Sequence, residues 1–128
     1  MLVAPLLENV TERNVYLPPG QWIDYQTGKT YNEGWHTIKA GPIPVVVLVH
    51  DVAVIPHIKL AQSTMQMDWS NLELVVYSTN SKEADGLVCL PSDNILHKLS
   101  VDKKGGGFVL ASDPLQGKVK WKIRAFDK

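Results

Sequence analysis

The sequence predicts an all-β protein, an antiparallel β-sandwich made of two small β-subdomains. Short apolar runs recur about every eight to twelve residues, the spacing of strands in sandwiches and barrels. Turn chemistry separates the runs, and no segment holds a helical period for long. With 128 residues, 45% of them apolar and 20% charged, the chain has the balance of a folded globular domain.

The first expected strand is Leu2–Leu6, followed by Asn14–Leu17 and Gln21–Tyr25. Pro18-Pro19-Gly20 reads as the turn between the latter two, because Pro fixes φ and Gly supplies a positive one. Thr27-Gly28 then leads toward Trp35–Lys39, and Gly41-Pro42 toward Val45–Val49. That last run is apolar at every position, so it should be covered on both faces and lie at the centre of its half. Val52–Ile55 follows. Between Pro56 and Leu72 the pattern lapses into the polar stretch Gln62-Ser63-Thr64-Met65-Gln66-Met67-Asp68-Trp69, which is read as a boundary. It divides the chain into a proximal subdomain, residues 1–66, and a distal one, residues 67–128.

The distal strands are Leu72–Tyr77, Gly86–Leu90, Ile95–Val101, Gly107–Ala111 and Gly117–Phe126. Asp102-Lys103-Lys104-Gly105-Gly106-Gly107 is a hairpin loop; a phosphate cradle would need a helix opening after its glycines, and none follows. The final strand alternates cleanly, with Val119, Trp121, Ile123 and Ala125 on one face and Lys118, Lys120, Lys122 and Arg124 on the other. Lysines on such a strand are the usual guard against edge-to-edge pairing.

Thirteen basic residues balance thirteen acidic ones, so no long-range field draws nucleic acid or an anionic bilayer. The apolar start, Met1 to Leu7, is too short for a leader or a membrane span, and the chain reads as mature or truncated and soluble. The single cysteine, Cys89, lies in an apolar run and is expected to be a small buried hydrophobe. Neither a disulfide framework nor a Cys-rich metal site is available. His36, His50, His57 and His97 come without a nucleophile elbow or a paired metal-ligand spacing, and His50-Asp51 with His57 lacks the close pairs of a structural zinc site. No metal and no catalytic residue is expected. Asn9-Val10-Thr11 matches a glycosylation sequon.

Sugar binding is the more serious functional idea, since exposed Trp and Tyr rings offer a flat apolar face to a pyranose. Trp22, Tyr25 and Trp35 are the candidate sugar-binding residues, with Tyr31 close by in sequence; the competing expectation is that this cluster packs in the core.

The first half holds, in order and at consistent spacing, Leu2-Val3-Ala4-Pro5, Tyr16-Leu17-Pro18-Pro19-Gly20-Gln21-Trp22, Ile23-Asp24-Tyr25-Gln26-Thr27-Gly28, Pro42-Ile43-Pro44-Val45 and Val54-Ile55-Pro56. Together these pieces resemble the C-terminal β-domain of glycoside hydrolase family thirty-one, the α-glucosidases, α-xylosidases and relatives. Gln26 stands where the family often has Trp, and His50-Asp51-Val52 replaces the usual Arg-x-Gly turn. The resemblance implies a non-catalytic domain that braces an upstream (β/α)8 barrel of the same polypeptide. That barrel needs ~250 residues and would carry the catalytic aspartates. It also implies a parent reaction of retaining α-glycoside hydrolysis with neither metal nor organic cofactor. A carbohydrate-binding β-sandwich module is the alternative.

Overall fold

A computed structural model describes residues 1–79 and 82–126. The chain is all-β, of the sandwich class expected, with strands β1 (Leu2–Pro5), β2 (Glu12–Asp24), β3 (Thr30–Lys39), β4 (Val45–His50), β5 (Ala53–Ile58), β6 (Asn71–Tyr77), β7 (Glu83–Cys89), β8 (Leu96–Lys104), β9 (Gly107–Ser112) and β10 (Lys120–Ala125). Thr64–Gln66 forms one short 3-10 turn. Backbone proximity divides the described residues into two compact units, Met1–Asp51 and Val52–Phe126.

The first unit is a four-stranded sheet in the order β1-β4-β2-β3, antiparallel throughout. Strand β4, apolar from Val45 to Val49, lies inside it, between β1 and β2, and buries Val46, Leu48 and Val49, whereas Val45 and Val47 stay partly open, so the run is not covered on both faces as expected. Alternation on the neighbouring strands turns Ala4, Val15, Leu17, Trp22 and Ile38 onto the same core. Pro18-Pro19-Gly20 does not turn the chain as expected. It forms a bulge within a single long strand, where the four-residue step from Leu17 to Gln21 stands opposite the two-residue step from Gly34 to Asn32. Proline has no N–H to give to the ladder, and the bulge removes that demand.

The β2–β3 connection is held by Asp24, whose buried carboxylate accepts the Gln26 N–H at 2.8 Å and the Thr27 N–H at 3.0 Å. Those two donors are what make a buried carboxylate tolerable. Gln26, the departure from the family pattern, staples the β3–β4 loop. Its side-chain amide donates to the Val45 carbonyl at 2.7 Å, and its side-chain oxygen accepts the Ile43 N–H at 3.0 Å.

The second unit is a six-stranded sheet in the order β10-β6-β5-β7-β8-β9. It is mixed rather than purely antiparallel: β10 runs parallel to β6, and β5 meets β7 in parallel at Ala53 and Asp85. Val54, Leu72, Leu74, Val76, Val88, Leu99 and Val101 form much of its core. Strand β5 pairs along its length with β6, so a segment assigned by sequence to the proximal half lies in the second sheet. The polar stretch read as a boundary is the β5–β6 connection, and Asp68 ties its end by accepting the Ser70 N–H, the Ser70 hydroxyl and the Asn71 amide. Residues 80, 81, 127 and 128 of the expected distal half lie outside the described residues.

Gly105 and Gly106, at φ 57° and 87°, make the expected hairpin turn, whose twist requires positive φ at both positions. Strand β10 lies at the sheet edge with Lys120, Lys122 and Arg124 exposed, as the charge alternation indicates. Cys89 is exposed, contrary to expectation. Val88 and Leu90 take the buried positions on either side of it, and period-two alternation then turns Cys89 outward opposite Leu96.

Candidate functional site

The three sequence-selected aromatic residues separate. Trp22 is buried, and its indole N–H donates to the Pro18 carbonyl at 2.9 Å. Tyr25 is on the margin of exposure, beside β4, where its N–H donates to the Val47 carbonyl. Trp35 is 74% exposed and meets Tyr16 edge-to-face, with ring centroids 5.5 Å apart. Tyr16 and Trp35 are direct cross-strand partners on the outer face of β2 and β3. The next rung on that face is Asn14 opposite Thr37, whose hydroxyl donates to the Asn14 side-chain oxygen at 2.6 Å. Sequence reasoning missed Tyr16, because nothing in linear order pairs it with Trp35; only the hairpin register does. Tyr31 is half-buried on the opposite face, packing on the core beside Trp22, and burial raises its pKa with help from the Asp24 charge.

A second open surface lies on β1 and β4. Val3 pairs with Val47 and Pro5 with Val45, all four on one face, and Val3 is 58% exposed, with Met1 and Leu7 also open.

Several clefts open among the described residues. One of about 520 Å3 in the second unit is lined by His57, Asn71, Lys59, Lys120 and Lys122, with Glu73 as its one carboxylate. Glu73 is ion-paired with Arg124, whose hydrogen bond is the main cause of its lowered pKa. Another, of about 360 Å3, carries Glu83, Asp85 and Asp102, but these stand side by side on one face of β7 and β8, and Lys98 lies 3.6 Å from Asp85. A third, of about 350 Å3 in the first unit, has Glu8 and Glu12 among Leu6, Leu7 and Val10.

Glycoside hydrolysis needs two carboxyl groups on opposite sides of the scissile bond, one of them with a raised pKa. Carboxylates on a single wall do not meet that requirement. The carboxyl groups that do shift, Asp68, Glu73 and Asp93, all move down, held by hydrogen bonds from Ser70, from Arg124 and from the Ile95 N–H respectively.

His36, His50 and His97 are engaged structurally. His36 bonds the Asn32 carbonyl at 2.7 Å, His50 donates to the Asp51 carbonyl at 2.8 Å with its ring against Trp22, and His97 pairs with Asp93 at 2.9 Å. Among the described residues no three His, Cys, Asp or Glu side chains cluster as metal ligands. Among the described residues no helix is long and apolar enough to cross a membrane.

Two β-sheets, with open apolar and aromatic surface on the first, define an all-β chain. Residues 1–56 match the model of the glycosyl hydrolase family 31 C-terminal domain. A search of curated proteins returned no match. Among solved structures the chain is similar to the family 31 α-xylosidase of Xanthomonas citri, at 21% identity and a TM-score of 0.69 over 98% of this chain and 15% of that one. It is also similar to the family 31 dextranase of Flavobacterium johnsoniae, at 23% identity and a TM-score of 0.63 over 83% and 15%. A third similar structure is ER glucosidase II, at 18% identity and a TM-score of 0.59 over 91% and 14%. At these identities the likeness is one of fold, and the chain spans about one seventh of the length of each of these proteins.

Proposed function

We propose that this chain is the non-catalytic C-terminal β-region of a retaining α-glycosidase, of the α-glucosidase or α-xylosidase type, and that it braces a catalytic (β/α)8 barrel in the same polypeptide. The first unit is the proximal, barrel-facing part and the second the distal part. The family match over residues 1–56 carries this reading, and the outer face of β1 and β4 supports it. Val3, Pro5, Val45 and Val47 form an aliphatic surface suited to burial against a larger neighbour, where each fully buried aliphatic side chain contributes about 1.5–3 kcal/mol. Bracing needs such a surface and no reactive groups.

Two measurements test the proposal. The purified chain, assayed on aryl α-glucosides and α-xylosides, should show no turnover; activity that persists through purification would overturn the non-catalytic role. Reading the genomic frame upstream of Met1 should reveal a barrel-encoding segment, and finding none would remove the bracing role.

A further inference from the structure

The Tyr16–Trp35 rung is unexplained by the bracing role. It lies on β2 and β3, whereas the aliphatic surface suited to a protein neighbour lies on β1 and β4. An indole exposed to 74% and braced edge-on by a tyrosine is a preorganised flat surface, because the T-shaped contact restrains the ring before any ligand arrives. What surrounds it points to the ligand's chemistry. A protein hot spot sits among apolar side chains that exclude water. Here the same face continues into Asn14 and Thr37, and then into the exposed pair Glu12 and Lys39.

We propose that Tyr16, Trp35, Asn14 and Thr37 form a surface site for a neutral oligosaccharide. Trp35 stacks on the apolar face of one pyranose while Tyr16 holds its edge. The Thr37 hydroxyl already engages the Asn14 side-chain oxygen, which fixes the amide and leaves its N–H groups as donors to sugar hydroxyls. Successive same-face rungs are about 6.8 Å apart along a strand. A sugar on the aromatic rung and its hydroxyls, or the next sugar, therefore reach the amide rung together. The site holds no carboxylate pair and binds without cleaving. It shares a sheet with the aliphatic surface but uses the other two strands, so sugar binding by the free chain and bracing of a barrel are read by separate measurements.

The test is titration of the full 128-residue chain with maltohexaose, isomaltotriose and a xyloglucan heptasaccharide, read by tryptophan fluorescence and calorimetry. At least one should give saturable binding. Trp35→Ala should weaken it at least about tenfold, the change that about 1.4 kcal/mol produces, and Asn14→Ala should weaken it severalfold. Leu96→Ser, at an exposed position in the second unit, should leave it unchanged. Thermal melts of each variant confirm that it is folded. Absence of saturation with all three sugars, binding unaffected by Trp35→Ala, or self-association abolished by Trp35→Ala would each overturn the proposal, the last by making the face a protein interface.

Discussion

The indole of Trp22 closes the β2 bulge by donating its N–H to the carbonyl of Pro18, four residues earlier. The bond spans Pro19, Gly20 and Gln21, so the side chain that anchors the first core also fixes the shape of the irregularity beside it. Trp22→Phe keeps most of the apolar volume and removes the bond, and should lower stability by about 1 kcal/mol. Trp22→Ala empties a core site and should cost about 3–5 kcal/mol. Urea unfolding, with the slope compared between variants, checks both.

Gly20 has φ +120° and lies against His50, whose ring nitrogen would be 2.4 Å from an added Cβ. Gly20→Ala should therefore destabilise by about 1–3 kcal/mol through backbone strain, in addition to the steric term. Combining it with His50→Ala should recover the steric part and leave the strain. Equal destabilisation with and without His50 would show that the ring is not the obstacle.

Gly86→Ala tests a close backbone approach. An added Cβ would stand 2.2 Å from the Val54 carbonyl oxygen, and a strand backbone cannot move aside as a side chain does. A loss of about 1–3 kcal/mol or more is expected from overpacking at the β5–β7 contact. Retention of wild-type stability would contradict this contact.

Val52 occupies the left-handed region at φ 68°, a rare place for a β-branched residue. The family pattern has glycine at this position, and the backbone keeps the conformation that glycine favours. Val52→Gly should raise stability by roughly 0.5–1 kcal/mol, relief of strain exceeding the entropy and packing that are lost. Val52→Ala retains the strain and loses methyl contacts, so its melting temperature should fall.

His57 is held below the ordinary histidine range by burial, with the Arg124 charge adding to the effect and Glu73 opposing it. The unfolded chain therefore takes up a proton at a higher pH than the folded one. Stability should fall as pH drops through the usual histidine range toward the lower folded value, and be unaffected by this group above it. In His57→Leu that slope should flatten, measured as melting temperature against pH between about 7.5 and 5. An unchanged profile would assign the slope to other groups.

Local pattern made much of the fold legible. The apolar run Val45–Val49 announced an interior strand, the Gly105-Gly106 pair a tight hairpin, and the charge alternation from Lys118 to Arg124 an edge. Each is a short-range property: period-two exposure, positive φ, or solvation of like charges. The misread features all depend on pairing at a distance. Pro18-Pro19-Gly20 carries turn chemistry whether it reverses the chain or bulges one strand, and the partner β3 settles which. The polar stretch after Pro56 looks like a linker until β5 is seen to pair with β6. Cys89 sits in an apolar run, yet the face it takes follows from the burial of its neighbours Val88 and Leu90.

By itself the sequence determined the all-β class, the strand-forming runs and the motifs of a glycosyl hydrolase family 31 C-terminal domain, because these reside in residue order and short-range periodicity. Only the tertiary structure decided that Trp22 is interior while Trp35 is open, and that Tyr16 is its companion. Side-chain exposure on a sheet is set by strand register, and register joins residues that the sequence keeps apart.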